Sequence, residues 1–314
     1  MYAQAVLPSD QVLIPTPSIP ASITTSERLL GAVELNLLPC KEQWPQSDAA
    51  AAAAYHLRSG GQRVRARLAI HAGLKLQLAH GDIIALATTA ELLHNASLIH
   101  DDLQDRDALR HGVATVWSLF GDNTAICAGD LLLASAYGAL GTFGQPARLP
   151  ALLNLTLAHT ARAIHGQCTD LAGPKRHDIA SYEAMAMAKS GALLSLPTEL
   201  ALLAAGRADV LASARCAAES FAVGYQIVDD IDDIGIDSDP LKVAHSFNIV
   251  LLLQAGAQAN EQMRDPASDQ SAARAAAVQL ARQHFERATI AAAELPDGSG
   301  DLLLTLISRL AQRL

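Results

Sequence analysis

The chain carries four cysteines, Cys40, Cys127, Cys168 and Cys216, and no two of them stand close together in the sequence. That spacing excludes a zinc ribbon and gives no disulfide framework, and it predicts buried, reduced thiols in a cytoplasmic protein. Positive charge is also scarce. Lys and Arg total 23 against 32 Asp and Glu, for a formal net charge of −9, and only five residues are lysine. A groove that neutralises nucleic-acid phosphates needs clustered cations, so that class of partner is excluded. No uninterrupted apolar run reaches the roughly 18 residues of a membrane span. The first residues lack the basic start and apolar core of a secretory signal. Alternating apolar and polar residues between hairpin turns are missing too, which removes an all-β fold.

Half of the residues are hydrophobic and 18% are charged, enough to build a large core. Residues 1–24 hold Pro8, Pro15, Pro17 and Pro20 among Ser and Thr, a composition that resists helix and predicts an N-terminal arm. From residue 25 to 314, Ala/Leu-rich segments such as "ALATTAELLHNASLIH" repeat their apolar positions at three and four. Gly, Pro and Asp clusters such as "RSGGQ", "TFGQPARLP" and "LPDGSG" punctuate them. The expectation is all-α: a single-domain bundle of long antiparallel helices around a central cavity.

Charge is concentrated at two places. "LIHDDLQDRDALRHG" carries Asp101, Asp102 and Asp105, and "GYQIVDDIDDIGIDSD" carries Asp229, Asp230 and Asp233. Both trios have i, i+1, i+4 spacing, which brings them close together at 3.6 residues per turn. One DDxxD is as well read as a solvated helix end. Two, each following a strongly apolar helix, point to facing acidic surfaces that hold hard divalent cations. Carboxylate oxygens suit Mg²⁺, which commonly bridges to substrate phosphates.

Further motifs stand in a fixed order around these clusters. "YHLRSGGQRVRARL" resembles a GGKRxRP segment, "AICAGDLLLASAY" a GDxLL helix, "HGQCTDL" and "MAKSGALL" the GQxxD and KTGxL elements, and "GYQIVDDIDDI" an FQxxDDxxD. Collinear from about Tyr55 to Val250, they resemble the trans-isoprenyl diphosphate synthase (polyprenyl synthetase) family. The resemblance implies a homodimeric prenyltransferase of the isoprenoid synthase fold. It would ionise an allylic diphosphate and condense it head-to-tail with isopentenyl diphosphate. All six aspartates would hold three Mg²⁺ ions. Arg110, Lys189, Gln226 and Lys242 would bind the allylic diphosphate, with Lys242 equally well read as a plain loop lysine. Asp101, Asp102, Asp105, Lys189, Asp229 and Asp230 would carry the catalysis.

The isopentenyl diphosphate site departs from the family pattern. Its positions read Gln62, Arg63, His94 and His111, with an amide and an imidazole where the resemblance implies a lysine and an arginine. Losing two charge-assisted contacts weakens a diphosphate site. Arg65 and Arg67 are expected to pair with helix carboxylates, His100 to pack as a helix histidine, and Asp130 to cap a helix. That departure keeps a second reading open, a terpene synthase or cyclase that uses the allylic diphosphate alone. A third, a non-catalytic partner subunit, has no need of six aspartates. The residues below Asp101 are small at Ala96 and Ser97, followed by Leu93 and Ala90. Here the resemblance implies room for an allylic chain longer than fifteen carbons, with Leu93 as the floor.

Overall fold

The computed structural model describes residues 24–38, 47–172, 178–234, 248–258 and 266–314. The expected N-terminal arm and Lys242 lie outside the described residues, apart from Thr24, which caps the first helix. Helices dominate, as the three-and-four periodicity requires. In chain order they are α1 (Thr25–Asn36), α2 (Asp48–Arg58), α3 (Val64–Lys75), α4 (His80–Gln104), α5 (Val116–Phe120), α6 (Asp122–Leu140) and α7 (Leu149–Ala172). There follow α8 (Ile179–Ala186), α9 (Ala192–Ala204), α10 (Leu211–Asp232), α11 (Ile249–Gln258), α12 (Pro266–Ala293) and α13 (Asp301–Ala311). A single two-stranded hairpin, β1 (Leu109–Arg110) and β2 (Val113–Ala114), is the sheet structure among the described residues. Its turn, His111–Gly112, has positive φ at both residues, as a two-residue hairpin of the primed type needs.

Two apolar clusters make the core. One gathers Ile83, Leu86, Leu92 and Ile99 of α4 with Leu132 and Leu140 of α6 and Leu196 and Leu200 of α9. The other gathers Phe221, Ile227 and Val228 of α10 with Ala277, Ala281 and Phe285 of α12 and Leu303 and Ile307 of α13. Close approach is set by small residues. A Cβ on Gly224 would stand 2.4 Å from the Phe285 ring, and one on Gly129 would stand 2.2 Å from His100.

A polar spine crosses between the clusters. Glu199 of α9 is fully buried, and its carboxylate meets His159 Nε2 of α7 at 3.2 Å and Arg215 of α10 at 2.7 Å. Burial alone would raise the Glu199 carboxyl, but His159 and Arg215 outweigh it and hold the pKa below the ordinary value. Two expectations about single residues fail. Asp130 sits inside α6, not at a cap, because that helix starts at Asp122. Cys127 and Cys168 are free but exposed rather than buried, since α6 and α7 turn one face outward.

Candidate active site

Both acidic clusters stand at the C-terminal ends of long helices, α4 and α10. Carboxylates there oppose the negative end of the helix dipole, so each cluster needs positive charge brought from elsewhere. The i+1 residue of each trio also departs from the expected shared face. A step of one residue rotates about 100° around the axis. Asp101 and Asp105 stay at the mouth while Asp102 turns inward, only 1% exposed. Arg110 closes on Asp102 Oδ1 with Nε at 2.9 Å and its terminal nitrogen at 2.7 Å. The hairpin is what returns Arg110 to the helix end. Arg110 also lies 3.7 Å from Asp101 Oδ2, at the edge of the mouth.

Asp230 is withdrawn more completely. It is 6% exposed. Tyr182 Oη and the Ile249 backbone N–H donate to its Oδ2 at 2.8 Å each, and Gln226 Nε2 donates to Oδ1 at 2.9 Å. Asn248 donates to its backbone carbonyl. Both Asp230 oxygens and Asp102 Oδ1 are thus met by protein donors, whereas Asp102 Oδ2 is buried with no hydrogen-bond partner. Gln226 thus donates to Asp230 one turn along its own helix, beside the second cluster.

The outer acids behave differently. Burial, reinforced by Asp101, pushes the Asp105 carboxyl up to about 6. Burial likewise pushes Asp229 up to about 6, with Asp233 adding to it against a hydrogen bond from Tyr225. Burial and the neighbouring acids thus outweigh the opposing charges of Lys189 at Asp105 and Arg313 at Asp229. That donor set, hard oxygens in i, i+4 pairs, fits Mg²⁺. Among the described residues no three Asp, Glu, His or Cys side chains converge on one ion. Ions held here would therefore complete their shells with water and substrate oxygens.

Lys189 lies in a π-helical turn, Met187–Gly191, between α8 and α9. Its Nζ meets Asp101 Oδ1 at 3.3 Å and Asp170 Oδ2 of α7 at 2.5 Å. Burial would lower its pKa, yet Asp101 and Asp170 raise it, so the ammonium stays charged. Asp101 and Lys189 stand over a cavity of about 230 Å³. Its walls are Leu93, Ala96 and Ser97 of α4, Leu133 of α6, Ala163 and Ile164 of α7, and Leu193 of α9. Ala90 is buried in the packing and does not line it.

The expected second-substrate residues separate. Gln62 and His111 are exposed. Arg63 is 7% exposed and engaged with Glu34 at 2.7 Å, Glu91 at 3.7 Å and the Leu57 carbonyl at 2.7 Å. Arg65, two positions on, was expected to pair with carboxylates but lines the cavity, and its buried Nε has no hydrogen-bond partner. His94 lines the cavity too, kept neutral by burial and by the nearby Arg65. The signal that finds Arg65 is helical phase: Arg63 has a left-handed backbone and precedes α3, whereas Arg65 is inside it. Arg67 caps back onto the Gln62 carbonyl at 3.0 Å. His100 also lines the cavity, with Nε2 3.3 Å from the Ile126 carbonyl.

Comparison with known proteins follows the same lines. The chain is 34% identical over 215 residues to a probable farnesyl diphosphate synthase of Bradyrhizobium diazoefficiens, covering 65% of each. It is 32% identical over 198 residues to a geranylgeranyl pyrophosphate synthase of Geoglobus acetivorans, covering 62% of each. The match thus spans about two thirds of such relatives' length. The crystal structure of a polyprenyl synthase from Caulobacter crescentus, complexed with calcium and isoprenyl diphosphate, superposes with a TM-score of 0.75 at 21% identity. It covers 92% of this chain and 96% of that one. The fold is therefore the one those synthases share. The model of the polyprenyl synthetase family matches residues 47–245, a stretch holding both acidic helix ends, the π-turn lysine and the cavity beneath Asp101. The chain belongs to that family.

Proposed function

We propose that the protein is a Mg²⁺-dependent isoprenyl diphosphate synthase that joins an allylic diphosphate head-to-tail to isopentenyl diphosphate. The observation that carries this reading is the pairing of Asp101 and Lys189 over an apolar cavity. Asp101 and Asp105 on one side, with Asp229 and Asp233 on the other, would hold the ions. Bound Mg²⁺ supplies neutralisation of the diphosphate as the carbon–oxygen bond breaks. Lys189 has three donors, and two point to Asp101 and Asp170, which leaves one for a diphosphate oxygen. Leu93, Leu133, Ala163 and Leu193 exclude water from the allylic cation, so that the double bond of the second substrate captures it. The released diphosphate then takes the proton.

Of Gln62, Arg63, His94 and His111, His94 would face the second diphosphate, joined by Arg65 from the same cavity wall. Relatives named farnesyl and geranylgeranyl diphosphate synthases favour condensation over the cyclase alternative. Ala96 and Ser97 leave room for an allylic tail, and Leu93 forms part of the wall that a longer tail would have to displace. Homodimerisation is part of the same reading. Leu157, Ile164 and Leu171 recur at seven-residue intervals on α7 and are exposed, and Ile126 of α6 is also exposed. Sedimentation of the purified chain at twice its monomer mass is the expected result.

The test incubates the protein with Mg²⁺, geranyl diphosphate and labelled isopentenyl diphosphate. Label enters a longer diphosphate. Hydrocarbon or alcohol formed without isopentenyl diphosphate overturns the condensation.

A further inference from the structure

Asp170, the last residue of the "GQCTD" stretch, makes the tightest contact in the mouth, 2.5 Å to Lys189 Nζ. The approach is built into the backbone. Gly166 precedes Asp170 by four residues on α7, so the two share a face. A Cβ on Gly166 would stand 2.3 Å from the Lys189 nitrogen and 2.7 Å from its Cα, so only glycine lets α7 seat the π-turn there. Gly166 thus sets the height of the lysine backbone, and Asp170, one turn along, receives its ammonium. The Lys189 ammonium is then divided between two carboxylates, with Asp101 the more distant at 3.3 Å.

We infer that Asp170 is a positioning residue that draws Lys189 away from Asp101, leaving the Asp101 carboxylate available to a divalent cation and the lysine available to a phosphate oxygen. The inference rests on the proposed reading of the site. Without the Asp170 charge, the only carboxylate that meets Lys189 within 4.0 Å among the described residues is Asp101. A direct pair between them would neutralise the very group that has to hold the ion. Asp170 therefore acts through Lys189 and does not have to touch the metal.

The experiment is a double-mutant cycle read by calorimetric titration of Mg²⁺ into the full-length chain in the presence of inorganic diphosphate, with no turnover involved. Asp170→Asn keeps the shape and removes the charge. It is expected to weaken Mg²⁺ binding roughly tenfold, the worth of one charge-assisted hydrogen bond. On a Lys189→Ala background, Asp170→Asn is expected to change nothing further, because the lysine it restrains is gone. Gly166→Ala, which displaces the π-turn, is expected to weaken binding in the same direction with Asp170 intact. Equal losses from Asp170→Asn on both backgrounds would overturn the inference and make Asp170 a metal ligand in its own right. Unchanged binding in the single variant would overturn it as well. If the unaltered chain binds no Mg²⁺ with diphosphate, the failure belongs to the functional reading and not to Asp170. A thermal melt of each variant separates loss of fold from loss of binding.

Discussion

The two aspartate clusters have the same spacing and opposite surroundings. At the end of α4, cations gather: Lys189 and Arg110 stand within 4 Å of Asp101, and a cavity opens beneath. At the end of α10, most partners of the acids are neutral donors, namely Tyr182, Gln226 and the Ile249 backbone, with Arg313 reaching the outlying Asp232 at 2.5 Å. The first cluster is electrostatically prepared for an anionic substrate. At the second, Asp230 is held by framework donors, and the proposed reading gives the outer pair, Asp229 and Asp233, to the ion. A repeated motif, then, does not imply a repeated job. What the two share is the fate of the i+1 residue, which helical phase turns into the core in both.

The largest effect that could break this comparison comes from the outer acids. Asp101→Ala and Asp229→Ala are each expected to lower kcat by roughly a thousandfold, the scale of losing a group that stabilises developing charge. Helical circular dichroism should stay unchanged. Turnover within tenfold of the unaltered protein at either position would remove that cluster from the metal site.

Next comes the inner pair, where stability is the readout. Asp230→Ala strands the Tyr182 hydroxyl, the Ile249 N–H and the Gln226 amide in a buried place. Its cost is expected at about 3–5 kcal/mol by denaturant unfolding. Asp102→Ala removes the nearer partner of the partly exposed Arg110 guanidinium and leaves it Asp101 at 3.7 Å, so about 2 kcal/mol is expected there. If Asp230→Ala unfolds no more easily than Asp229→Ala, the division into framework and ligand acids is wrong.

A smaller effect separates Arg63 from Arg65. Arg63→Ala is expected to cost about 3 kcal/mol of stability, since it leaves Glu91 buried with a lost partner. Arg65→Ala should leave stability nearly unchanged and raise KM for isopentenyl diphosphate roughly tenfold at constant kcat. The reverse pattern would return the second-substrate role to Arg63.

That exchange shows where sequence stops being legible. The all-α class could be read because apolar periodicity is a property of each segment alone, and the acidic helix ends because spacing along one helix fixes neighbours. Lys189 stood out as a lone cation in an apolar stretch. Helical phase at a boundary did not show: Arg63 precedes α3 with φ of 50°, and that single left-handed residue decides which arginine lines the cavity. Nor did contacts between distant segments, such as Asp170 with Lys189 or Tyr182 with Asp230, because neither partner carries a local sign of the other. The exposure of Cys127 and Cys168 is hidden for the same reason, since only the packed bundle reveals which face α6 and α7 leave bare.

The smallest expected effect concerns protons, and it tests whether both clusters lack a counterion to a similar degree. Asp105 and Asp229 each rise to about 6 from an ordinary 3.8. A carboxyl raised on folding stabilises the folded chain below 3.8 and loses that stabilisation as pH climbs through about 6. His56 works the other way. Burial lowers its pKa to about 4, so it costs stability as pH falls from 6.5 toward 4. The aspartate contribution must therefore be read as a difference between variants. Without divalent metal, Asp105→Asn and Asp229→Asn should each flatten the decline in melting temperature between pH 5 and pH 7 by a similar amount. Adding Mg²⁺ with inorganic diphosphate should erase the difference, because an ion that binds the ionised carboxylate supplies the missing charge. Should only Asp105→Asn flatten the slope, the second cluster is already balanced without metal, and only the end of α4 would be an ion site.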